Sequence, residues 1–139
     1  ESFDRERAKL LKVCGDCHSE NFAKAEIGKG DQMIKETDRL LAEGIRIIAG
    51  LYKDGFLKRP PGYAYDFPDL LAFHDAPTAI EQRLFVMHLE HRMRAFQGTF
   101  HANPDYALWY GWSEMRRDLT EIQEMATELR RTHGAKKPS

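Results

Sequence analysis

Cysteine is scarce in this sequence: only Cys14 and Cys17 occur among the 139 residues. A structural zinc site usually takes four ligands, often from two cysteine pairs, so a single pair argues against zinc. Long apolar runs are also missing, and we therefore expect no membrane-spanning helix. Neither sign of charge is in excess, because 21 basic residues face 22 acidic ones for a net charge of −1. This balance gives no reason to expect nucleic acid as a partner.

Period-two alternation is absent as well, which argues against β-strands and leaves helical periodicity as the main signal. Apolar residues recur at three-, four- and seven-residue steps and predict a long helix over 31–54. A run rich in proline, glycine and aromatic residues predicts a loop over 56–76. We predict an all-α fold with a short first helix over 3–13, in a single domain over 1–139.

Two further helices are predicted from their start signals. Thr78 and Glu81 have the spacing of a capping box, in which each side chain satisfies a backbone donor, so we expect a helix over 78–98. Asn103 is followed by proline, which combines an N-cap side chain with the residue favoured at the first helical position. This pair predicts a last helix over 104–133.

The two cysteines and the next residue form the pattern C-x-x-C-H, at Cys14, Cys17 and His18. A thioredoxin-type redox pair would need a βαβ context, whereas the flanking segments are predicted to be helical. The spacing matches the two vinyl groups of a haem, and the histidine can bind the iron. We predict one covalent haem c, with thioethers to both cysteines and His18 as the proximal ligand. Such attachment implies a periplasmic or equivalent extracytoplasmic location.

The second axial ligand of the iron is not fixed by the motif. His88 and His91 follow helical spacing on one apolar stripe of the helix predicted over 78–98. A lone histidine on such a face is more often a hydrogen-bonded core residue, but two in a haem protein favour ligation of iron. We predict a bis-histidine haem with His91 as the leading sixth ligand and His88 next, the other being available to a haem held elsewhere. His74 remains a loop candidate.

Three segments beyond the haem motif are distinctive: LEHRMRAF (89–96), NPDYALWYGW (103–112) and EMRRDL (114–119). Together they resemble the carboxy-terminal part of hydroxylamine oxidoreductases, octahaem c-type cytochromes whose family includes hydrazine dehydrogenase. The resemblance extends from the haem motif to the last helix and is most specific around Pro104-Asp105-Tyr106. It implies that the chain is the carboxy-terminal part of a larger multihaem protein.

The resemblance also implies a function, the oxidation of hydroxylamine or a related small nitrogen compound. The local haem would then transfer electrons, and a redox partner cytochrome would receive them. Because this chain has one C-x-x-C-H, the catalytic haem and the other haems must be attached to the rest of the assembly. The family further implies a homotrimer in which Tyr106, or failing that Tyr110, bonds covalently to the catalytic haem of a neighbouring subunit. From the residues alone, Tyr106 would be assigned to packing.

Two other functions fit parts of the sequence. A free-standing monohaem electron carrier would also have an early haem motif and an all-helical fold. Such carriers usually take a methionine ligand from a loop, whereas the methionines here lie mostly in helical patterns. The third hypothesis is a helical assembly module in which the haem mainly stabilises the fold.

Overall fold

A computed structural model of the chain describes residues 2–65, 67–72 and 75–134. Helix α1 (Ser2–Cys14) leads to a long α2 (Glu20–Lys53), and the described parts of the following loop contain neither a long helix nor a strand. The described residues contain no strand, which confirms the predicted all-α fold, and those of them that lie within 56–76 form the predicted irregular loop.

The second half of the chain folds into two helical rods, each interrupted by π-helix. The first rod runs through α3 (Ala79–Val86), a first π segment (Met87–His91) and α4 (Arg92–Phe100). The second rod runs through α5 (Pro104–Tyr106), a second π segment (Ala107–Trp112) and α6 (Ser113–Gly134). The helices predicted over 78–98 and 104–133 are therefore present, but periodicity did not predict their π segments, which are frequent at functional sites.

Helix α2 begins at Glu20, well before the predicted start at 31. The cause is Ser19, whose backbone is extended and whose Oγ accepts a hydrogen bond from the N–H of Phe22 at 3.3 Å. This bond satisfies one of the unpaired donors at the helix start. The first part of α2 contains Gly28 and Gly30 and few apolar residues, so it has no periodic apolar pattern to indicate a helix.

The predicted capping box is wrong in its bonding, although α3 does begin after Thr78. No side chain caps the backbone there. The Thr78 hydroxyl instead donates to the carboxylate of Glu81, and the Tyr52 hydroxyl donates to the other oxygen of that carboxylate. Glu81 is buried, so both of its oxygens need donors. The carboxylate ties α2 to α3 instead of closing the first turn.

The core lies where α2, α3 and α6 meet, and it consists mainly of large aliphatic side chains. Its largest fully buried members are Leu40, Ile48, Leu51, Ile80, Leu84, Met87, Met115 and Ile122. The two rods approach most closely at small residues: a Cβ at Gly111 would lie 2.5 Å from the Cα of Ala95, and one at Gly98 would lie 2.6 Å from the backbone nitrogen of Ala107. No described helix has the length and apolar character needed to cross a bilayer.

Candidate functional site

The C-x-x-C-H motif occupies the turn between α1 and α2. Cys14 is the last residue of α1, and its carbonyl accepts a hydrogen bond from the N–H of His18 at 3.0 Å. Ser19 then caps α2, so the motif is held between two helix ends. Both thiols are free, with Cys14 partly exposed and Cys17 exposed. The turn therefore presents both sulfurs and the histidine on the surface.

Apolar side chains surround this turn without being covered by the described part of the chain. Helix α1 buries none of its residues, and Leu10, Val13 and Phe22 are at least half exposed. The imidazole of His18 contacts the ring of Phe22, with 4.9 Å between the ring centroids. Two free thiols, an exposed imidazole and an apolar surface are the groups a covalent haem requires, so the residues fit the group.

His91 lies in a buried polar network between the two rods. Its Nδ1 is 2.6 Å from Oδ2 of Asp118, and the side chains are only 10% and 1% exposed. Arg83 donates to the other carboxylate oxygen at 3.4 Å and pairs with Glu121 at 2.7 Å. Burial raises the pKa of Asp118, while the hydrogen bond with His91 acts to lower it. The arrangement fixes the ring of His91 and engages one of its two nitrogens.

His88 lies one turn before His91 in a different environment. Its ring is half-buried, and its Nδ1 is the buried side-chain atom without a hydrogen-bond partner in the described part of the chain. Burial, followed by the nearby positive charge of Arg92, lowers the pKa of His88. Both influences favour the neutral imidazole, the form in which histidine binds a metal.

The structure separates both histidines from the haem motif. Arg92, the residue after His91, forms an ion pair with Asp38 of α2 at 2.7 Å. Asp38 lies nineteen residues after Ser19, the N-cap of α2. At 1.5 Å per residue that stretch of helix is about 30 Å long. Two axial ligands must lie on either side of one iron atom, so neither His91 nor His88 can share an iron with His18 of the same chain. This separation argues against His91 or His88 as the partner of His18 on one iron, and their role as haem ligands stays a prediction.

Of the other predicted ligands, His74 lies outside the described residues. Tyr106 is half-buried at the start of the second rod, where its N–H donates to Oδ1 of Asn103 at 3.0 Å. This bond confirms the predicted N-cap. Tyr106 lines an open cleft of about 300 Å³, and its ring centroid is 5.2 Å from that of the more exposed Tyr110. Tyr110 is thus exposed, and Tyr106 faces solvent through the cleft.

An exposed aromatic surface continues from this cleft along the two rods. Its members are Phe96, Phe100, Trp109 and Tyr110. Large aromatic side chains exposed together on neighbouring helices are typical of a surface covered by another part of an assembly.

No protein-family model matches the chain. It is 25% identical to a probable nitrite reductase–hydroxylamine oxidoreductase fusion protein of Kuenenia stuttgartiensis, over 165 aligned positions that include 90% of the chain. A solved chain of the reducing HAO-like (hydroxylamine oxidoreductase-like) protein complex of the same organism superposes with a TM-score of 0.80 over 93% of the chain, also at 25% identity. The chain is therefore similar to HAO-like proteins over most of its length. The resemblance inferred from the three sequence segments is thus confirmed, as is the fold.

The chain spans 19% of the length of the fusion protein and 33% of the solved chain. It therefore corresponds to one part of each of these larger proteins.

Neither Asp118 nor Arg83 was predicted from the sequence. Asp118 is 27 residues from His91, and no short motif joins them. The available signal was an acidic residue at a buried position of α6, flanked by the core residues Met115, Leu119 and Ile122. A carboxylate at such a position requires a partner.

Proposed function

We propose that this chain is the haem-bearing helical part of a multihaem oxidoreductase that oxidises hydroxylamine or a related small nitrogen compound. Its similarity to HAO-like proteins supports oxidoreductase chemistry with c-type haems. The observation that carries the proposal is the turn at Cys14, Cys17 and His18, where two free thiols and an imidazole lie on an uncovered apolar surface. A haem bound there supplies one-electron transfer.

In this proposal each group of the turn has a distinct task. Cys14 and Cys17 form thioethers to the haem, and His18 supplies the proximal nitrogen. The backbone bond from His18 to the Cys14 carbonyl fixes the turn before the haem binds. The exposed apolar side chains of α1 and α2 would exclude water from a haem held at this turn, and such exclusion affects the reduction potential.

His91 and His88 are proposed to ligate haems attached elsewhere in the assembly. The observations are the separation of about 30 Å from the haem motif along α2 and the ring nitrogens without a partner in the described part of the chain, which are Nε2 of His91 and the buried Nδ1 of His88. The chain would then contact more than one haem of the relay, and a cytochrome partner would receive the electrons. This placement weighs against a free-standing monohaem carrier, which needs its sixth ligand close to its own haem.

Tyr106 is proposed to bond covalently to a catalytic haem in a neighbouring subunit of a homotrimer. Its accessible ring and the exposed aromatic surface beside it support a contact of this kind. Asn103 fixes the start of the helix and thus the direction of Tyr106. Tyr110 is the second candidate. The assembly is placed in the periplasm or an equivalent compartment, where c-type haems are attached.

Mass spectrometry of the native assembly tests the proposal directly. We expect a tryptic peptide containing Cys14 and Cys17 with one haem attached. Replacement of both cysteines by alanine should reduce the haem content by one. Replacement of Asp16, an exposed non-ligating residue of the same turn, by asparagine is the matched control. An unmodified peptide from the native protein would refute the haem assignment.

A further inference from the structure

Asp118 is placed to do more than fill the core. It is fully buried in α6, and its two oxygens have separate partners, His91 at 2.6 Å and Arg83 at 3.4 Å. Arg83 is itself held at 2.7 Å by Glu121. A carboxylate held from both sides cannot rotate away, so the position of the acceptor facing His91 is fixed.

That fixed acceptor determines which nitrogen of His91 carries the proton. In a neutral imidazole one nitrogen donates and the other has a free lone pair. A carboxylate 2.6 Å from Nδ1 keeps the proton on Nδ1 and leaves the lone pair on Nε2. Nε2 hydrogen-bonds to no residue in the described part of the chain, and a tenth of the side chain is exposed. The free lone pair is therefore accessible to a group outside the chain.

A purely structural ion pair would not require this arrangement. Here the ring closes the first π segment, where the extra residue of the wider turn displaces the side chain from the regular α-helical position. A buried carboxylate, an oriented ring and a free outer nitrogen together form the arrangement that holds metal-binding histidines in proteins.

We propose that Asp118 is a positioning residue that holds the Nδ1 proton of His91 and so presents Nε2 to the iron of a haem attached outside this chain's own motif. The inference rests on the proposed function, in which His91 is a haem ligand. Arg83 and Glu121 complete the support by fixing the carboxylate. A negatively charged acceptor makes the imidazole a stronger donor to iron and stabilises the ferric state.

The test is the Asp118→Asn variant of the complete haem-loaded assembly, with the midpoint potential of each haem measured by spectroelectrochemistry. Mutation of an outer partner of a metal-binding histidine typically lowers metal affinity or activity by about ten- to a hundredfold. A tenfold loss of preference for the ferric state raises a one-electron potential by about 59 mV. We expect one haem to shift upward by at least this amount. Glu121→Gln is the matched control, because it alters the support of Arg83 without touching His91, and should shift the potential much less.

The His91→Gln variant distinguishes two failures: that Asp118 does not position His91, and that His91 is not a haem ligand at all. If His91→Gln removes the low-spin signal of one haem while Asp118→Asn leaves every potential unchanged, His91 is a ligand and Asp118 does not position it. If neither variant changes any haem, His91 is not a ligand, and both the inference and that part of the proposed function are wrong.

A measurement without mutation covers the case in which Asp118→Asn does not fold. Nitrogen-15 NMR of histidine-labelled native protein, fully reduced, reports which ring nitrogen of His91 carries the proton. We expect a proton on Nδ1 that exchanges slowly with solvent. A proton on Nε2 would overturn the proposal.

Discussion

The guanidinium of Arg92 lies 2.7 Å from the carboxylate of Asp38, and this ion pair joins the first rod to the middle of α2. Its position fixes His88 and His91 far from the haem motif at the start of α2. Gly30 supports the same antiparallel alignment, since a Cβ there would lie 2.7 Å from Cγ2 of Thr99. The chain thus carries two separate groups of candidate haem ligands.

Simultaneous replacement of His88 and His91 by glutamine should leave the haem at Cys14 and Cys17 unchanged. The reason is the length of α2 between the two groups, about 30 Å. The spectrum of that haem can be isolated by subtracting the spectrum of the double cysteine variant from that of the parent assembly. Loss of its low-spin optical and EPR signals in the double histidine variant would contradict the placement described here.

Tyr106→Phe should abolish substrate oxidation and leave the haem at Cys14 and Cys17 spectrally intact. The substitution removes only the phenolic oxygen. The hydrogen bond from the backbone N–H of residue 106 to Oδ1 of Asn103 is retained. Steady-state assays and mass spectrometry of the haem-linked peptides provide the measurement. Tyr110→Phe is the control and should retain activity. Full activity and unchanged subunit association in Tyr106→Phe would make Tyr106 a packing residue.

Tyr52→Phe should destabilise the fold, because it leaves one oxygen of the buried Glu81 carboxylate without its donor. A loss of about 1–3 kcal/mol in the free energy of unfolding is expected. Urea denaturation followed by circular dichroism measures it. Tyr65→Phe, at an exposed tyrosine, should change the same quantity by no more than about 0.5 kcal/mol. Equal effects of the two substitutions would show that the Tyr52–Glu81 bond contributes nothing.

The same bond predicts a pH dependence. Burial, and then the hydrogen bond to Glu81, raise the pKa of Tyr52 above its usual 10.0. The unfolded chain therefore loses the Tyr52 proton first, so the contribution of this residue is complete below about pH 10 and declines as the pH rises beyond it. The difference in unfolding free energy between the parent and Tyr52→Phe should shrink between pH 9 and pH 11. A constant difference would be inconsistent with the raised pKa.

Gly111→Ala should destabilise the contact between the two rods. A Cβ at this position would lie 2.5 Å from backbone atoms of Ala95, which cannot move as a flexible side chain would. Overpacking of this kind typically costs about 1–3 kcal/mol. Gly28→Ala is a matched control, because a Cβ there meets nothing within 4 Å and alanine favours the helix by up to about 1 kcal/mol. In thermal unfolding, Gly111→Ala should lower the midpoint temperature and Gly28→Ala should leave it unchanged or raise it.

Much of the secondary structure could be predicted because its signals are local. Asn103 caps the last rod as its side chain suggested, and the absence of alternating patterns correctly excluded strands from the described part of the chain. The start of α2 could not be predicted from periodicity, since Gly28 and Gly30 lie in a polar stretch. Ser19 was the available signal, a single capping residue that many turns also contain.

The sequence by itself determined the spacing of Cys14, Cys17 and His18, and the prediction of a haem there rests on that spacing along five consecutive residues. Only the tertiary structure decided the rest. In the folded chain Glu81 accepts hydrogen bonds from Tyr52 and Thr78 and does not cap the backbone of α3. His91 of the first rod is paired with Asp118 of the second. The physical reason is burial: a carboxylate removed from water must find donors wherever the packing places them, and neighbours in the sequence do not determine which donors those are.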